Sequence, residues 1–171
     1  QMCLDGTLWV ENGTPYMIYC HEWVEMMDGT MELVELKPDL SGTVGQPIRL
    51  FCASAAEWST GSLREDGTRT YVTDGCFLYR TQTGKLLMIW SSFKNGEYAI
   101  GIAESMTGKV FGPWKQQKEP LFDKHGGHGM IFKTFDGRLC VVLHAPNSPG
   151  GAERAHIFEI EDLGHTLKLK E

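Results

Sequence analysis

Basic residues are in short supply here. Across 171 residues, 16 lysines and arginines face 22 aspartates and glutamates, a formal net charge of −6. That balance argues against nucleic acid or an anionic membrane surface as the partner. No window approaches the run of about 20 apolar residues that a membrane helix needs. No charged segment followed by an apolar run opens the chain, so no signal peptide is expected within it. The five cysteines, Cys3, Cys20, Cys52, Cys76 and Cys140, are odd in number and include no Cys-x-x-Cys pair. That spacing argues against a cysteine metal site and against a dense disulfide framework. Cys20, Cys76 and Cys140 lie in apolar strand contexts and read as buried packing thiols. Helical periodicity is missing as well, since no long stretch repeats apolar residues three and four apart. What remains reads as nearly all β, and as one domain by length.

What the chain does have is one hairpin pattern written three times. Its clearest copy is Thr73-Asp74-Gly75-Cys76-Phe77-Leu78-Tyr79-Arg80, a turn at Gly84, and the more apolar Leu86-Leu87-Met88-Ile89-Trp90. A polar residue precedes a glycine, a short strand follows, then a turn glycine and a second strand. Asp5-Gly6-Thr7-Leu8-Trp9-Val10 repeats it, with Gly13 before Tyr16-Met17-Ile18-Tyr19-Cys20. His128-Gly129-Met130-Ile131-Phe132 repeats it again, with Asp136-Gly137 before Leu139-Cys140-Val141-Val142-Leu143-His144. Third strands are expected at residues 32–36, 98–103 and 156–160, and fourth strands at 47–52 and 115–120. The second strand of the first hairpin is expected to run on through Met27 to a turn at Asp28-Gly29. Residues 59–69 are the most loop-like segment, placed to overhang whatever Asp74 faces. The tail from Leu167 suggests no element.

Four antiparallel strands recurring every 50–70 residues are the pattern of β-propeller blades, here expected at about 1–58, 59–122 and 123–171. The physical reason is that a four-stranded sheet buries both faces only between similar sheets. A β-sandwich would not require the polar-glycine start to recur in register. Propellers close with about four to eight blades. Three blades are therefore expected to form an open arc, part of a larger propeller or one completed by another chain.

If the first strand of each hairpin lines the channel, Asp5, Asp74 and His128 point to one axis at one height. Singly, each reads best as a cap on a strand end; in equivalent positions, a shared polar site is the better reading. Two carboxylates and a histidine suit glycoside hydrolysis. That chemistry needs a protonated carboxyl for the leaving oxygen and an ionised one to activate water. Two acids in one pocket raise each other's proton affinity, so one can stay protonated near neutral pH. Trp9, Trp58, Phe77 and Trp90 are candidate sugar-stacking aromatics, although most strand aromatics are core. Trp58, beside a loop, is the one expected to face a ligand, and Trp90 is expected to be buried. His125 and His144 read as surface or internally bonded histidines.

These segments together resemble glycoside hydrolase family 43, five-bladed propeller enzymes acting on arabinose- and xylose-containing polysaccharides, over nearly the whole chain. Asp5-Gly6-Thr7-Leu8-Trp9-Val10, with Asn12-Gly13 and Tyr16, resembles the blade whose aspartate tunes and orients the acid. Thr73-Asp74-Gly75, with residues 86–92 and 98–114, resembles the general-acid blade; Ala103-Glu104-Ser105 and Gly112-Pro113-Trp114 belong to that match. Gly127-His128-Gly129, with Asp136-Gly137 and His144, resembles the blade whose histidine sits near the axis and helps hold a calcium ion through water. Arg154 falls where family members place a sugar-contacting arginine. The resemblance implies an inverting glycosidase with Asp74 and Asp5 catalytic and His128 and Arg154 at the substrate. It also implies a carbohydrate partner, a structural calcium near His128, and a secreted or periplasmic location. Two departures stand out. The family's acid is usually a glutamate in Glu-Gly-Pro or Glu-Ala-Pro, whereas here the triplet is Asp74-Gly75-Cys76. Aspartate is one methylene shorter, so the cavity compensates, the substrate sits deeper, or the acid is weakened. The family's base is an aspartate of the first blade, expected to lie outside this chain. The chain alone is therefore expected to be weak or inactive, and a non-catalytic carbohydrate-binding or assembly fragment is the alternative function. A generic interaction propeller is a third reading.

Overall fold

The computed structural model describes residues 1–170. Glu171, the last residue of the expected third blade, lies outside them. Three four-stranded antiparallel sheets follow one another along the chain. The first comprises β1 (Cys3–Glu11), β2 (Thr14–His21), β3 (Thr30–Leu36) and β4 (Thr43–Cys52). The second comprises β7 (Asp74–Arg80), β8 (Leu86–Lys94), β9 (Glu97–Ser105) and β10 (Trp114–Gln116). The third comprises β11 (Gly127–Lys133), β12 (Leu139–Ala145), β13 (Arg154–Asp162) and β14 (Leu167–Leu169). Between the first two sheets lies a two-stranded hairpin, β5 (Ser62–Leu63) and β6 (Arg69–Thr70). Four-stranded antiparallel sheets in this arrangement make the chain a partial β-propeller.

Local turn chemistry explains much of this. Asn12-Gly13 and Asn95-Gly96 each connect two strands as a two-residue loop with both residues at positive φ. That is the turn whose twist matches a β-hairpin. Alternation explains the layers. On β8, Leu86, Met88 and Trp90 pack against the first blade while Leu87 and Ile89 pack against the third. This two-sided burial is why β8 is apolar at successive positions. The first seam joins Ile18, Cys20, Met31 and Leu33 to Cys76, Leu78, Met88 and Trp90. The second joins Ile89, Ile100 and Ile102 to Ile131, Val141, Leu143 and Ile160.

Four expectations change in the structure. The second strand stops at His21, and Trp23–Met26 form a short helix, α1, that closes on Asp28-Gly29. Residues 59–69 are not a plain loop: Asp66-Gly67 turns the β5–β6 hairpin, which is tied to blade two by Thr60 N–H donating to Phe93 O. Arg64 of that hairpin lies over the Trp23 ring. Both fourth strands shift: β4 begins earlier than expected, at Thr43, and β10 covers Trp114–Gln116 rather than 115–120. The tail forms β14, because Leu167 is buried against the second core cluster and Lys170 N–H bonds Glu159 O.

Candidate active site

The inner strands of the three blades each lose register at the same place. β1 does so between Leu4 and Thr7, β7 between Asp74 and Phe77, and β11 between Gly127 and Met130. A β-bulge of this kind re-aims the side chains around it. In each bulge one residue is left-handed: Asp5 (φ 58°), Gly75 (φ 53°) and His128 (φ 54°). The structural equivalents are therefore Asp5, Gly75 and His128, whereas Asp74 corresponds to Leu4 and Gly127. The expected equivalence of Asp5, Asp74 and His128 is off by one residue in the middle blade. The reason is local packing. A Cβ at position 75 would lie 2.9 Å from the Cα and ring atoms of His128. The glycine, not the aspartate, has to take the left-handed position there.

The three side chains nevertheless gather at one end of the inner strands. Asp5 accepts the Gly75 N–H through Oδ2 at 3.1 Å, and its Oδ1 lies 3.7 Å from His128 Nε2. Cys76 Sγ donates to Asp5 O and Ile18 O, pinning the bulge of β1 onto β7. Asp74, the residue before Gly75, turns the other way. It is half-buried and accepts the Tyr98 hydroxyl at 2.7 Å. Ser91, its partner across the ladder, accepts the His128 N–H at 2.8 Å. Burial raises the proton affinity of Asp74. The Tyr98 hydrogen bond opposes that rise, Asp5 adds to it, and His128 and His144 oppose it again; the net shift is upward. Tyr98 is pushed above the ordinary phenol range by burial and by Asp74, so it stays a donor.

Next to these groups opens a cleft of about 480 Å³ lined by Asp5, His128, Met130, His144, Glu153 and Arg154. Arg154 lines this cleft with Asp5 and His128, its guanidinium held by Glu153 O at 2.7 Å and Gly151 O at 3.2 Å. Trp58 and Phe77 do not join them. Trp58 is 4% exposed, with its ring centroid 4.9 Å from that of Trp90. Its indole lies flat over Gly101, where a Cβ would come within 2.1 Å of Cζ2. This is a core contact that leaves no face for a sugar. Phe77 is half-buried against the core between the second and third blades. Trp90 is fully buried, as expected.

Sequence reading missed Tyr98 and Glu22 here, and took His144 only as part of the family match and as an internally bonded histidine. Tyr98 holds Asp74. His144 stacks on Tyr98 at 5.5 Å and bonds Asn147 at 2.9 Å. Glu22 lies within electrostatic reach of Asp74 and Asp5. The pair His21-Glu22 closing an apolar strand was the one sequence signal available for the last. Among the described residues no three His, Cys, Asp or Glu side chains are placed to hold one metal ion. His128 offers a single nitrogen, whereas calcium takes six to eight oxygens. A calcium near His128 would therefore be held through water, as the resemblance implies.

Comparison with known proteins identifies the family. The family described as Glycosyl hydrolases family 43 matches residues 1–161. A solved endo-arabinase from Bacteroides thetaiotaomicron VPI-5482 is 46% identical, with a TM-score of 0.86 over 94% of this chain and 56% of that one. A thermostable family-43 glycoside hydrolase (24% identical, TM-score 0.82) covers 99% of this chain and 58% of its own. An endo-1,4-beta-xylanase from Bacteroides thetaiotaomicron VPI-5482 (19%, TM-score 0.80) covers 100% and 59%. These last two speak for the fold alone. No curated protein matches the chain. The chain spans less than two thirds of the length of each of these structures. With the family matched over 161 residues, the chain belongs to glycosyl hydrolase family 43.

Proposed function

We propose that this chain forms three blades of an inverting glycosidase that cleaves arabinose- or xylose-containing glycans. Its proton donor is drawn from the carboxylates around Asp74, with Asp5 as their tuning neighbour. The observation that carries this reading is the Asp5–Gly75 hydrogen bond. It ties one carboxylate to the backbone beside a second whose proton affinity is raised by burial. An acid must hold its proton at working pH, and burial with a like charge nearby is the usual means. Asp74 stands where the family resemblance places the acid, and Arg154 and His128 face the cleft where the sugar would lie. The likeness to an endo-arabinase makes arabinan the first substrate to try.

Inversion also needs a base on the opposite face of the sugar ring. Asp5 is bonded beside Asp74 and is not across a ring from it. The base is assigned to blades outside this chain, from the same parent protein or a partner chain. Exposed apolar residues on the outer blades support that assignment, as does the 56% span of the endo-arabinase. A polymer-degrading enzyme meets its substrate outside the cytoplasm, so a secreted or periplasmic location belongs to the same proposal.

The test assays this chain and a protein extended by the remaining blades on linear arabinan and arabinoxylan. The extended protein should cleave at least one with inversion, and the short chain should be slower by about 100-fold or more. If the extended protein binds these polymers without cleaving them, the non-catalytic carbohydrate-binding alternative takes over. Robust turnover by the short chain, lost on Asp5→Asn, would make Asp5 the base and overturn the assignment.

A further inference from the structure

Glu22 follows directly on β2, whose last residue, His21, pairs with Cys3 on one side and Thr30 on the other. Its backbone is still extended (φ −61°, ψ 137°), so the alternation of β2 carries through to it. Ile18 and Cys20 face the middle blade, and Glu22 is next in that row. The opposing strand start is held alongside. Gly29 N–H donates to Tyr71 O at 2.8 Å, and the Thr73 hydroxyl donates to Thr30 O at 3.4 Å. These bonds bring the residue before Asp74 against the first blade, at the seam where Glu22 ends the row.

Glu22 is 7% exposed, yet no hydrogen bond or ion pair engages its carboxylate among the described residues. It precedes α1 without capping it. Neither oxygen is sealed from solvent. The two neighbouring carboxylates are spoken for, Asp74 by Tyr98 and Asp5 by Gly75. A buried carboxylate without partners is expensive unless something outside the protein supplies them. Burial raises its proton affinity, and Asp74 and then Asp5 raise it further.

We infer that Glu22 is the carboxyl that delivers the proton to the departing glycosidic oxygen, with Asp74 and Asp5 as the charges that surround it. This rests on the glycosidase reading above and sharpens it. A glutamate side chain is one methylene longer than that of Asp74, and Glu22 arrives from the neighbouring blade with that extra reach. In the step, the Glu22 proton passes to the glycosidic oxygen as its bond to the anomeric carbon breaks, and the leaving sugar departs as an alcohol. Water adds to the anomeric carbon from the opposite face and gives its proton to the carboxylate base outside this chain. Exchange with solvent then reprotonates Glu22 and frees the base.

The experiment compares wild type, Glu22→Gln and Asp74→Asn in the extended protein, on linear arabinan and on a nitrophenyl arabinoside. Glu22→Gln should lower kcat on arabinan by about 100-fold or more and affect the nitrophenyl substrate far less, since nitrophenolate leaves without a proton. It should also remove the alkaline limb of the kcat/KM profile. The titratable groups facing Glu22 are Asp74 from β7 and Asp5 from β1, with His128 and His144 beyond the two aspartates. Near-wild-type turnover in Glu22→Gln, with the leaving-group signature in Asp74→Asn instead, would overturn the inference. So would an equal loss on both substrates, the mark of a structural role. If wild type cleaves neither substrate, the glycosidase reading has failed. A second arm, independent of turnover, is a carboxyl 13C titration of this chain, assigned with Glu22→Gln. Glu22 should titrate above the ordinary glutamate range, and an ordinary value would overturn the inference.

Discussion

His21 is gripped at both ring nitrogens: Nδ1 lies 3.0 Å from Glu32 and Nε2 lies 2.8 Å from Glu25. Glu32 is occupied in turn by the Tyr19 and Thr30 hydroxyls at 3.0 and 3.1 Å. Burial pulls the imidazole's pKa down, but the hydrogen bonds to Glu25 and Glu32 outweigh it and the net shift is upward. A cation favoured by the folded state adds stability that is complete below the unfolded pKa, about 6.5. That stability is lost as pH rises through the higher folded value. His21→Gln should therefore lower Tm by on the order of 4 °C at pH 6 and by clearly less at pH 9. Thermal melts at the two pH values check this, and a pH-independent loss would show that His21 acts through packing alone. The same bonds steady the strand end from which Glu22 departs.

The decisive element is the bulge repeated at the start of β1, β7 and β11. It sets which residue of each polar-glycine pair is left-handed, and so which way each neighbour points. Gly75 meets two demands at once, a positive φ and close contact with His128. Gly84 in the β7–β8 turn meets only the first, since nothing lies within 4 Å of its missing Cβ. Gly84→Ala should cost about 1 kcal/mol. Gly75→Ala should cost about 2 kcal/mol more, because packed atoms must also move, and it should disturb the His128–Asp5 pair. Urea unfolding of the two variants measures the difference. Equal losses would mean that the bulge does not depend on its fit to His128. The hairpins themselves were legible, because Asn12-Gly13 and the period-2 strands act over a few residues. The bulge phase was not, because Asp5-Gly6 and Asp74-Gly75 are the same dipeptide resolved in opposite ways by their neighbours.

At the scale of the molecule, the middle blade is buried on both sides, whereas the outer blades leave large apolar side chains exposed beyond the small Tyr19–Val34–Leu36 cluster of the first. Leu8 and Val10 remain 47% and 57% exposed on the first blade, and Met130 and Ile157 remain 55% and 63% exposed on the third. Apolar surface of this kind marks a binding face or an aggregation liability. Adding the remaining blades should abolish anilinonaphthalene sulfonate fluorescence and give a monomer in sedimentation. This chain alone should bind the dye or self-associate. A short chain that is monomeric and dark would argue that these faces need no cover.

Strand positions, turns, threefold repetition and the supply of acids, histidines and arginine were set by the sequence itself, because period-2 patterning and turn residues work locally. The burial of Trp58, the one-residue offset of Asp74 and the approach of Glu22 were decided by the tertiary structure alone. Each depends on packing between segments far apart in the chain. Trp58 meets Gly101, Gly75 meets His128, and the end of β2 meets the start of β7. No local pattern encodes such meetings, since blade-on-blade contact chooses among backbone states that the isolated strands would occupy almost equally.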